Sequence, residues 1–153
     1  MLIRRAGPAD TDAILALVPR LSFSFTPPPW REPAAMAVTD RDVVAEAICS
    51  TVDDPTVFVA VVEGAVAGFM HVRSLEDYYR RRKHGHVADL VVAPAHEGQG
   101  IATALLARAE EWARASGYDW ITLGVFEQNE RAEQLYRRQG FRRDVIRLLK
   151  PLT

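Results

Sequence analysis

Apolar and polar positions follow two different periods along the chain, and each change of period marks a change of element. Runs of β-branched and aromatic residues, alternating or unbroken, predict strands. The strands are predicted at Leu2–Arg5, Thr56–Val62, Val66–Val72, His86–Ala93 and Trp120–Val125, with one or two more from Phe141 onward. Glu63-Gly64, between the second and third strands, predicts a tight hairpin turn.

Apolar residues spaced three and four apart predict four helices between these strands. The first follows Asp10 and ends or bends at Pro19; the second opens at Thr39, with Asp42 placed as in a capping box; the third covers Glu97–Ser116; the fourth runs from Asn129 to Gly140. Two connections look irregular, namely Ser22–Pro33, with three successive prolines, and the basic stretch Ser74–Gly85.

The resulting order of elements is β-α-α-β-β-β-α-β-α-β. It combines a hairpin with a strand–helix–strand crossover, so the sheet should be mixed, with antiparallel and parallel neighbours. This pattern predicts an α/β layer fold with helices on both faces of the sheet. The 153 residues fit one domain spanning 1–153.

Composition narrows the range of partners. Hydrophobic residues make up 48% of the chain, charged residues 25%, and the net charge is −1. A near-neutral chain predicts neither nucleic-acid nor membrane binding, and the N-terminal residues do not resemble a signal peptide, so a cytoplasmic protein is expected. The lone Cys49 lies in an apolar helical pattern, which predicts a buried core residue and not a nucleophile.

The segment Leu90–Ala102 reads as strand, glycine turn and helix, which predicts an anion site. Glycine at 98 and 100 lets a ligand approach the backbone, and the first amides of a helix have no intrahelical partners. A P-loop would need Lys-Ser/Thr where Ile101-Ala102 stand, and a dinucleotide fingerprint would need glycine in place of Thr103. Both fit poorly, and a simple glycine turn at a helix start remains an alternative.

A second motif lies downstream. Ile121–Ala132 leads to Leu135-Tyr136 and Gly140-Phe141, with Asn129 as the predicted N-cap. Together with the glycine turn, these residues resemble the GNAT superfamily of N-acetyltransferases, strongly over Ala88–Phe141. The resemblance implies a splayed central mixed sheet and acetyl-CoA as co-substrate; no metal is predicted, because His84 and His86 are too close together to make a metal site without further ligands.

The resemblance also implies where acetyl-CoA is held. In that family the pattern Arg/Gln-x-x-Gly-x-Gly/Ala binds the pyrophosphate; Gly100 and Ala102 match it, whereas Glu97 departs from it. Because a carboxylate would repel phosphates, we expect Glu97 to point away and the backbone to bind. The implied cofactor contacts are Leu90, Val91, Val92, Glu97, Gly98, Gln99, Gly100, Ile101, Ala102, Thr103, Asn129 and Tyr136, with the pantetheine between Leu90–Val92 and Leu123–Val125.

Transfer by direct attack of an amine needs an oxyanion donor, an acid and a base. A backbone N–H of Val91 or Val92 could stabilise the oxyanion. Tyr136 matches the family's general acid, although a core tyrosine is the alternative. Asp89 is the candidate base, with a structural acid as the alternative; His86, Glu76 and His71 are weaker candidates. Strand alternation puts His86 and Asp89 on opposite faces, so no dyad is predicted, and His84 with His86 does not make a metal site.

The acceptor is expected to be a primary amine of a small molecule or peptide. Its expected contacts are Phe25, Trp30, Tyr78 and His86, from the two irregular connections and the strand after them. The alternative is that Ser22–Pro33 and Ser74–Gly85 are ordinary surface connections that do not contact the acceptor. A non-catalytic acyl-CoA-binding or sensor protein of the same fold is the alternative function, a nucleotide-binding protein is a weaker one, and a homodimer is the default assembly.

Overall fold

The computed structural model describes residues 1–152, which form a five-stranded sheet in the order β1-β2-β3-β4-β5. The strands are β1 (Leu2–Arg5), β2 (Thr56–Val62), β3 (Ala65–Glu76), β4 (Lys83–Val92) and β5 (Ile121–Leu123). Neighbours from β1 to β4 are antiparallel, whereas β4 and β5 are parallel. The predicted mixed sheet is therefore confirmed.

Helices cover both faces of this sheet. They are α1 (Thr11–Leu17), α2 (Arg20–Phe23), α3 (Pro33–Ile48), α4 (Ile101–Ala115) and α5 (Glu130–Arg138). One core joins α4 to the sheet through Leu105, Leu106 and Met70. The other joins α1 and α3 to the opposite face through Ile14, Val44 and Phe69. Successive side chains of β2 and β3 therefore pack into two separate apolar layers, one on each face of the sheet.

Two helices begin at positions that the periodicity did not indicate. α3 starts at Pro33, six residues before the predicted Thr39, because proline lacks an amide hydrogen and suits a first helical turn. α4 starts at Ile101 and not at Glu97, because Gly98 and Gly100 both have positive φ values, of 74° and 79°. Cys49 was expected in the core but is exposed at the end of α3, so that prediction is wrong.

The strand boundaries also differ from the pattern. β3 continues to Glu76 and β4 begins at Lys83, so the predicted loop 74–85 shrinks to residues 77–82. The ladder pairs Leu75 with His84 and Glu76 with Lys83, which extends the hairpin beyond its apolar positions. β5 is shorter than predicted, because its pairing with β4 stops at Leu123.

The strands predicted from Phe141 onward are absent from the described part of the chain, since residues 141–152 contain no helix or strand. Their apolar side chains are exposed, namely Val145, Ile146, Leu148, Leu149 and Leu152. β propensity produces a strand only where a pairing partner is present. Of the helices within residues 1–152, none is long and apolar enough to cross a membrane.

Candidate active site

The sheet splits between β4 and β5. Parallel pairing covers Gly85, His86 and Val87 opposite Ile121, Thr122 and Leu123. Beyond that point β4 remains paired with β3 as far as Val92, whereas the chain after Leu123 leaves the sheet. The two strands therefore open a gap on one side of β4, bounded by residues 88–92 and 124–126.

A β-bulge marks the start of the gap. The register of β3 and β4 pairs His71 with Asp89 but Val72 with Val87, so Ala88 is an extra residue on β4. His86 pairs with Arg73, which lies two residues from His71 on the same face of β3. His86 and Asp89 therefore share a face, and the prediction of opposite faces is wrong, because simple alternation does not hold across a bulge.

Backbone amides of β4 point into the gap. Ala93 donates its N–H to Ala67 O at 2.8 Å, toward β3. Hydrogen-bonding directions alternate along an antiparallel strand, so the amides of Leu90 and Val92 point away from β3. The expected oxyanion donor was Val91 or Val92. The geometry favours Leu90 and Val92, and it turns the Val91 amide toward β3.

The glycine turn and the first turn of α4 lie just after β4. The first helical hydrogen bond runs from Ala104 N to Gly100 O at 3.0 Å, so the amides of Ile101, Ala102 and Thr103 precede the helical ladder. A Cβ at Gly98 or Gly100 would meet no atom within 4 Å. The glycines are therefore required by their backbone angles and not by a lack of space, since the surroundings of both Cα atoms are open.

Glu97 bridges two arginines from different helices. Its Oε1 lies 2.6 Å from Nη2 of Arg20, at the start of α2, and its Oε2 lies 2.9 Å from Nη1 of Arg131, in the first turn of α5. The Glu97 and Arg20 side chains are each 30% exposed, and that of Arg131 is 78% exposed. The carboxylate next to the glycine turn is thus neutralised by two cations, whereas we expected it simply to point away.

A cavity of about 600 Å³ opens beside the gap. It is lined by residues of α2, α3, β4 and α5 and of the loops beside them, namely Arg20, Leu21, Ser24, Phe25, Trp30, Arg31, Glu32, Ala35, Met36, Thr39, Asp40, Ala88, Asp89, Leu90, Gly124, Val125, Phe126, Asn129 and Tyr136. The predicted site residues Phe25, Trp30, Asp89, Leu90, Asn129 and Tyr136 therefore share one space. Tyr78 and His86 are not among its lining residues.

Two carboxylates lie on one wall of this cavity. Asp89 Oδ2 is 2.8 Å from Nδ1 of His71, which is only 2% exposed. Asp40 Oδ2 accepts a hydrogen bond from the hydroxyl of the fully buried Ser22 at 3.1 Å. Burial raises the pKa of Asp40, and the negative charge of Asp89 raises it further against the opposing effect of Ser22. This wall can therefore bind a cation or accept a proton.

The opposite side of the gap carries Asn129 and Tyr136. Asn129 is the N-cap of α5, where its side chain accepts from the Ala132 amide at 3.3 Å, as predicted. Tyr136 packs edge-on against Phe141, with ring centroids 6.0 Å apart. Burial raises the pKa of Tyr136, and the charge of Asp89 adds to the shift. The Tyr136 hydroxyl therefore stays protonated over the physiological range.

Aromatic side chains form a further wall. Phe25 and Phe126 have ring centroids 5.3 Å apart, and the guanidinium of Arg31 lies 5.6 Å from the centroid of Phe126. Trp30 also lines the cavity and is 49% exposed. Of the ion pairs formed within residues 1–152, none involves Arg31.

The remaining two predicted acceptor contacts lie elsewhere. Tyr78 is 76% exposed on the turn 77–82, with its ring 5.1 Å from that of Tyr79. His86 Nδ1 is 2.9 Å from Thr122 Oγ1, and His84 Nε2 is 3.1 Å from the same oxygen. Burial, followed by the positive charge of Arg73, lowers the pKa of His86 to about 4.

Comparison with known proteins identifies the family and the fold. The model of the Acetyltransferase (GNAT) family matches residues 20–141. The chain belongs to the GNAT family of acetyltransferases. It is 27% identical over 152 residues to the aminoalkylphosphonate N-acetyltransferase of Salmonella typhimurium, covering 98% of this chain and 90% of that protein. The match makes this protein an enzyme of the N-acetyltransferase class.

Solved structures show the same fold. A mutant of the BH1408 protein from Bacillus halodurans superposes with a TM-score of 0.79 at 22% identity, covering 99% of this chain and 100% of that chain. An aminoglycoside N-acetyltransferase in complex with CoA superposes with a TM-score of 0.74 at 16% identity, covering 99% and 93%. At these identities the likeness concerns the fold alone.

The GNAT family uses acetyl-CoA, and the residues present fit this co-substrate. The positive-φ turn at Gly98 and Gly100 exposes amides suited to phosphates, and the β4–β5 gap offers a slot for an extended chain. Asp40, Arg20, Arg31 and Arg131 were missed as site residues in the sequence. Glu97 indicated that compensating cations were needed but not that Arg20 and Arg131 supply them, and no signal in the sequence pointed to Asp40 or Arg31.

Proposed function

We propose that this GNAT protein transfers the acetyl group of acetyl-CoA to a primary amine by direct attack within a ternary complex. One observation carries the proposal: the carboxylate of Asp89, the phenol of Tyr136 and the gap beside Leu90 face a single cavity. Acetyl-CoA supplies the thioester carbonyl. The amides at 101–103 would hold its pyrophosphate, and residues 90–92 and 123–125 would flank its pantetheine.

Three groups of this chain would each carry out one step of the transfer. Asp89, fixed by His71, would take a proton from the acceptor ammonium. The N–H of Leu90 or Val92 would donate to the carbonyl oxygen as negative charge develops there. Tyr136, whose pKa is raised by burial, would deliver a proton to the departing sulfur. A thiol with a pKa of ~8.5 is a better leaving group when a phenol stands ready to protonate it.

The cavity also suggests the kind of acceptor. Asp40 and Asp89 suit an ammonium group, whereas Arg31, held over the Phe126 ring, suits an acidic group. We therefore propose an acceptor that combines a primary amine with an acid, such as an aminoalkylphosphonate or an amino acid. The similarity to the aminoalkylphosphonate N-acetyltransferase supports this class.

The test is release of free CoA thiol from acetyl-CoA in the presence of a panel of amines. The panel should pair each aminoalkylphosphonate with the alkylamine of equal length, and should include amino acids, polyamines and aminoglycosides. We expect turnover with acid-bearing amines to exceed that with the matched alkylamines, and Arg31→Gln to remove the difference. Equal rates for each pair would reject the acid-bearing class.

Initial-rate kinetics distinguish direct attack from an acetylated enzyme. Intersecting double-reciprocal plots are expected for a ternary complex, whereas parallel plots would indicate a covalent intermediate. CoA binding without turnover for any amine in the panel would favour the alternative, a non-catalytic acyl-CoA sensor.

A further inference from the structure

Position 97 is where the family pattern carries a cationic arginine or a neutral glutamine, whereas this chain carries the negatively charged Glu97 there. Two side chains from outside the motif compensate the negative charge of Glu97. Arg20 approaches Glu97 from α2 at 2.6 Å, and Arg131 approaches it from α5 at 2.9 Å. Two arginines and one glutamate leave one net positive charge, the same charge that a single arginine at position 97 would supply.

We propose that the triad Arg20–Glu97–Arg131 is a pyrophosphate-binding group that takes the place of the arginine or glutamine of the family pattern in this protein. The inference rests on the proposed binding of acetyl-CoA. Glu97 lies in the same turn as Gly98 and Gly100, four residues before Ile101, so its two ion pairs bring both guanidinium groups to the turn that precedes the free amides of α4. Each guanidinium has five N–H donors, and an ion pair with Glu97 leaves donors for phosphate oxygens.

Exposure indicates which arginine has more freedom to do so. The Arg131 side chain is 78% exposed, so it can turn from the carboxylate to a phosphate without breaking packing. Arg20 is 30% exposed and also lines the acceptor cavity, which makes it a less selective target for mutation. The net charge of the triad, and not the ion pairs within it, then determines phosphate affinity.

We expect an unusual order of CoA affinities among variants of the triad, measured by titration calorimetry on the whole chain. Glu97→Gln raises the triad charge to two and should tighten binding about three- to tenfold. Arg131→Gln lowers the charge to zero and should weaken binding by a similar factor. The double variant returns the charge to one and should bind within about twofold of the unmodified protein.

Two matched controls accompany these variants. Arg131→Lys keeps the charge and should stay within about twofold of the unmodified protein. Arg138→Gln removes the same charge from the last turn of α5, about 10 Å further along the helix, and should leave CoA binding unchanged. Thermal melts confirm that each variant is folded. Repeating the series with dephospho-CoA separates the pyrophosphate from the 3′-phosphate, because only a pyrophosphate site retains the pattern.

Three outcomes would overturn the proposed pyrophosphate-binding role of the triad. If Glu97→Gln weakens binding and the double variant is no better, the ion pairs are structural and the proposal is overturned. Unchanged affinity in all variants, or loss of the pattern with dephospho-CoA, also overturns it. A folded protein that does not bind CoA at all would instead remove the proposed function, which distinguishes the two failures.

Discussion

The Nδ1 atom of His71 lies 2.8 Å from Oδ2 of Asp89, and the histidine is almost completely buried beneath it. The opposite ring nitrogen, Nε2, has no hydrogen-bond partner among the described residues. The tautomer with its proton on Nδ1 therefore fits best, because it donates to Asp89 and leaves an unpaired acceptor instead of an unpaired donor. His71 thus fixes one oxygen of a carboxylate whose other oxygen can face the cavity.

Replacing Asp89 with asparagine should lower kcat/KM about 100-fold, because the acceptor ammonium then loses its proton to water. The remaining rate should follow the fraction of free amine and rise about tenfold per pH unit up to the amine pKa, near ~10. Rate measurements from pH 6 to pH 10 check this. Profiles of the variant and the unmodified protein that run parallel would exclude Asp89 as the base.

His71 offers a second test of the same pair. His71→Leu removes the Nδ1–H donor but leaves Asp89 in place, so it should lower kcat less than Asp89→Asn does. Combined with Asp89→Asn, it should add little further loss, because a positioning residue acts only through its partner. Independent, multiplying losses would instead give His71 a separate role, such as support of the core.

Tyr136→Phe should reduce kcat about 100-fold while changing the CoA dissociation constant by less than about threefold. The hydroxyl is needed when the sulfur departs, whereas the ring still packs against Phe141. Burial and the negative charge of Asp89 raise the pKa of Tyr136 from its ordinary value, so the hydroxyl is protonated and able to donate at physiological pH. Turnover equal to that of the unmodified protein would remove Tyr136 from the acid role.

Much of the fold and part of the site could be predicted from residue patterns. The hairpin at Glu63-Gly64 and the N-cap at Asn129 depend on local chemistry, and both are present. The grouping of Asp89, Asn129 and Tyr136 followed from a family resemblance, since they are distant in sequence. Local rules failed at Gly100, where the backbone angle delays the helix to Ile101.

The missed residues depend on tertiary contacts. His86 and Asp89 lie on the same face of the sheet, contrary to the prediction, because the extra residue Ala88 shifts the alternation of side chains along β4. A hydrophobic pattern does not show in advance where a bulge occurs. Arg20 and Arg131 are 111 positions apart and meet only through Glu97. Such pairings require the packed structure, because exposed arginines carry no local signal of their partners.

His86 makes the stability of the protein sensitive to acid. Its pKa falls from 6.5 to about 4 in the folded state, first through burial and then through Arg73. Between pH 6.5 and about pH 4, His86 is therefore protonated in the unfolded chain but not in the folded one. The free energy of unfolding is unaffected above pH 6.5 and declines as the pH drops toward 4, by about 1–2 kcal/mol after allowance for partial exposure.

Urea unfolding at pH 7.5, 6.0 and 5.0 can measure this effect in the unmodified protein and in His86→Gln. Glutamine can still bond to Thr122 but does not titrate. Other groups contribute equally to both proteins, so the difference in stability should shift in favour of the variant as the pH falls. A constant difference across the three pH values would contradict the assignment to His86.

Backbone strain at the glycine turn gives a test of the proposed phosphate site. Gly100 has a φ of 79° and an added Cβ would meet no atom within 4 Å, so alanine strains the backbone without a clash. Gly64, in the β2–β3 hairpin, has a φ of 81° and equally open surroundings. Alanine at either position should lower the free energy of unfolding by about 1 kcal/mol.

Only the first of these two variants should affect ligand binding. Gly100→Ala tilts the amides at 101–103 away from their present directions, so CoA affinity should fall about tenfold or more, whereas Gly64→Ala should bind CoA as the unmodified protein does. Calorimetric titration of both variants, with urea unfolding of each, separates the two effects. Equal CoA affinities at equal loss of stability would mean that the phosphates bind away from the start of α4.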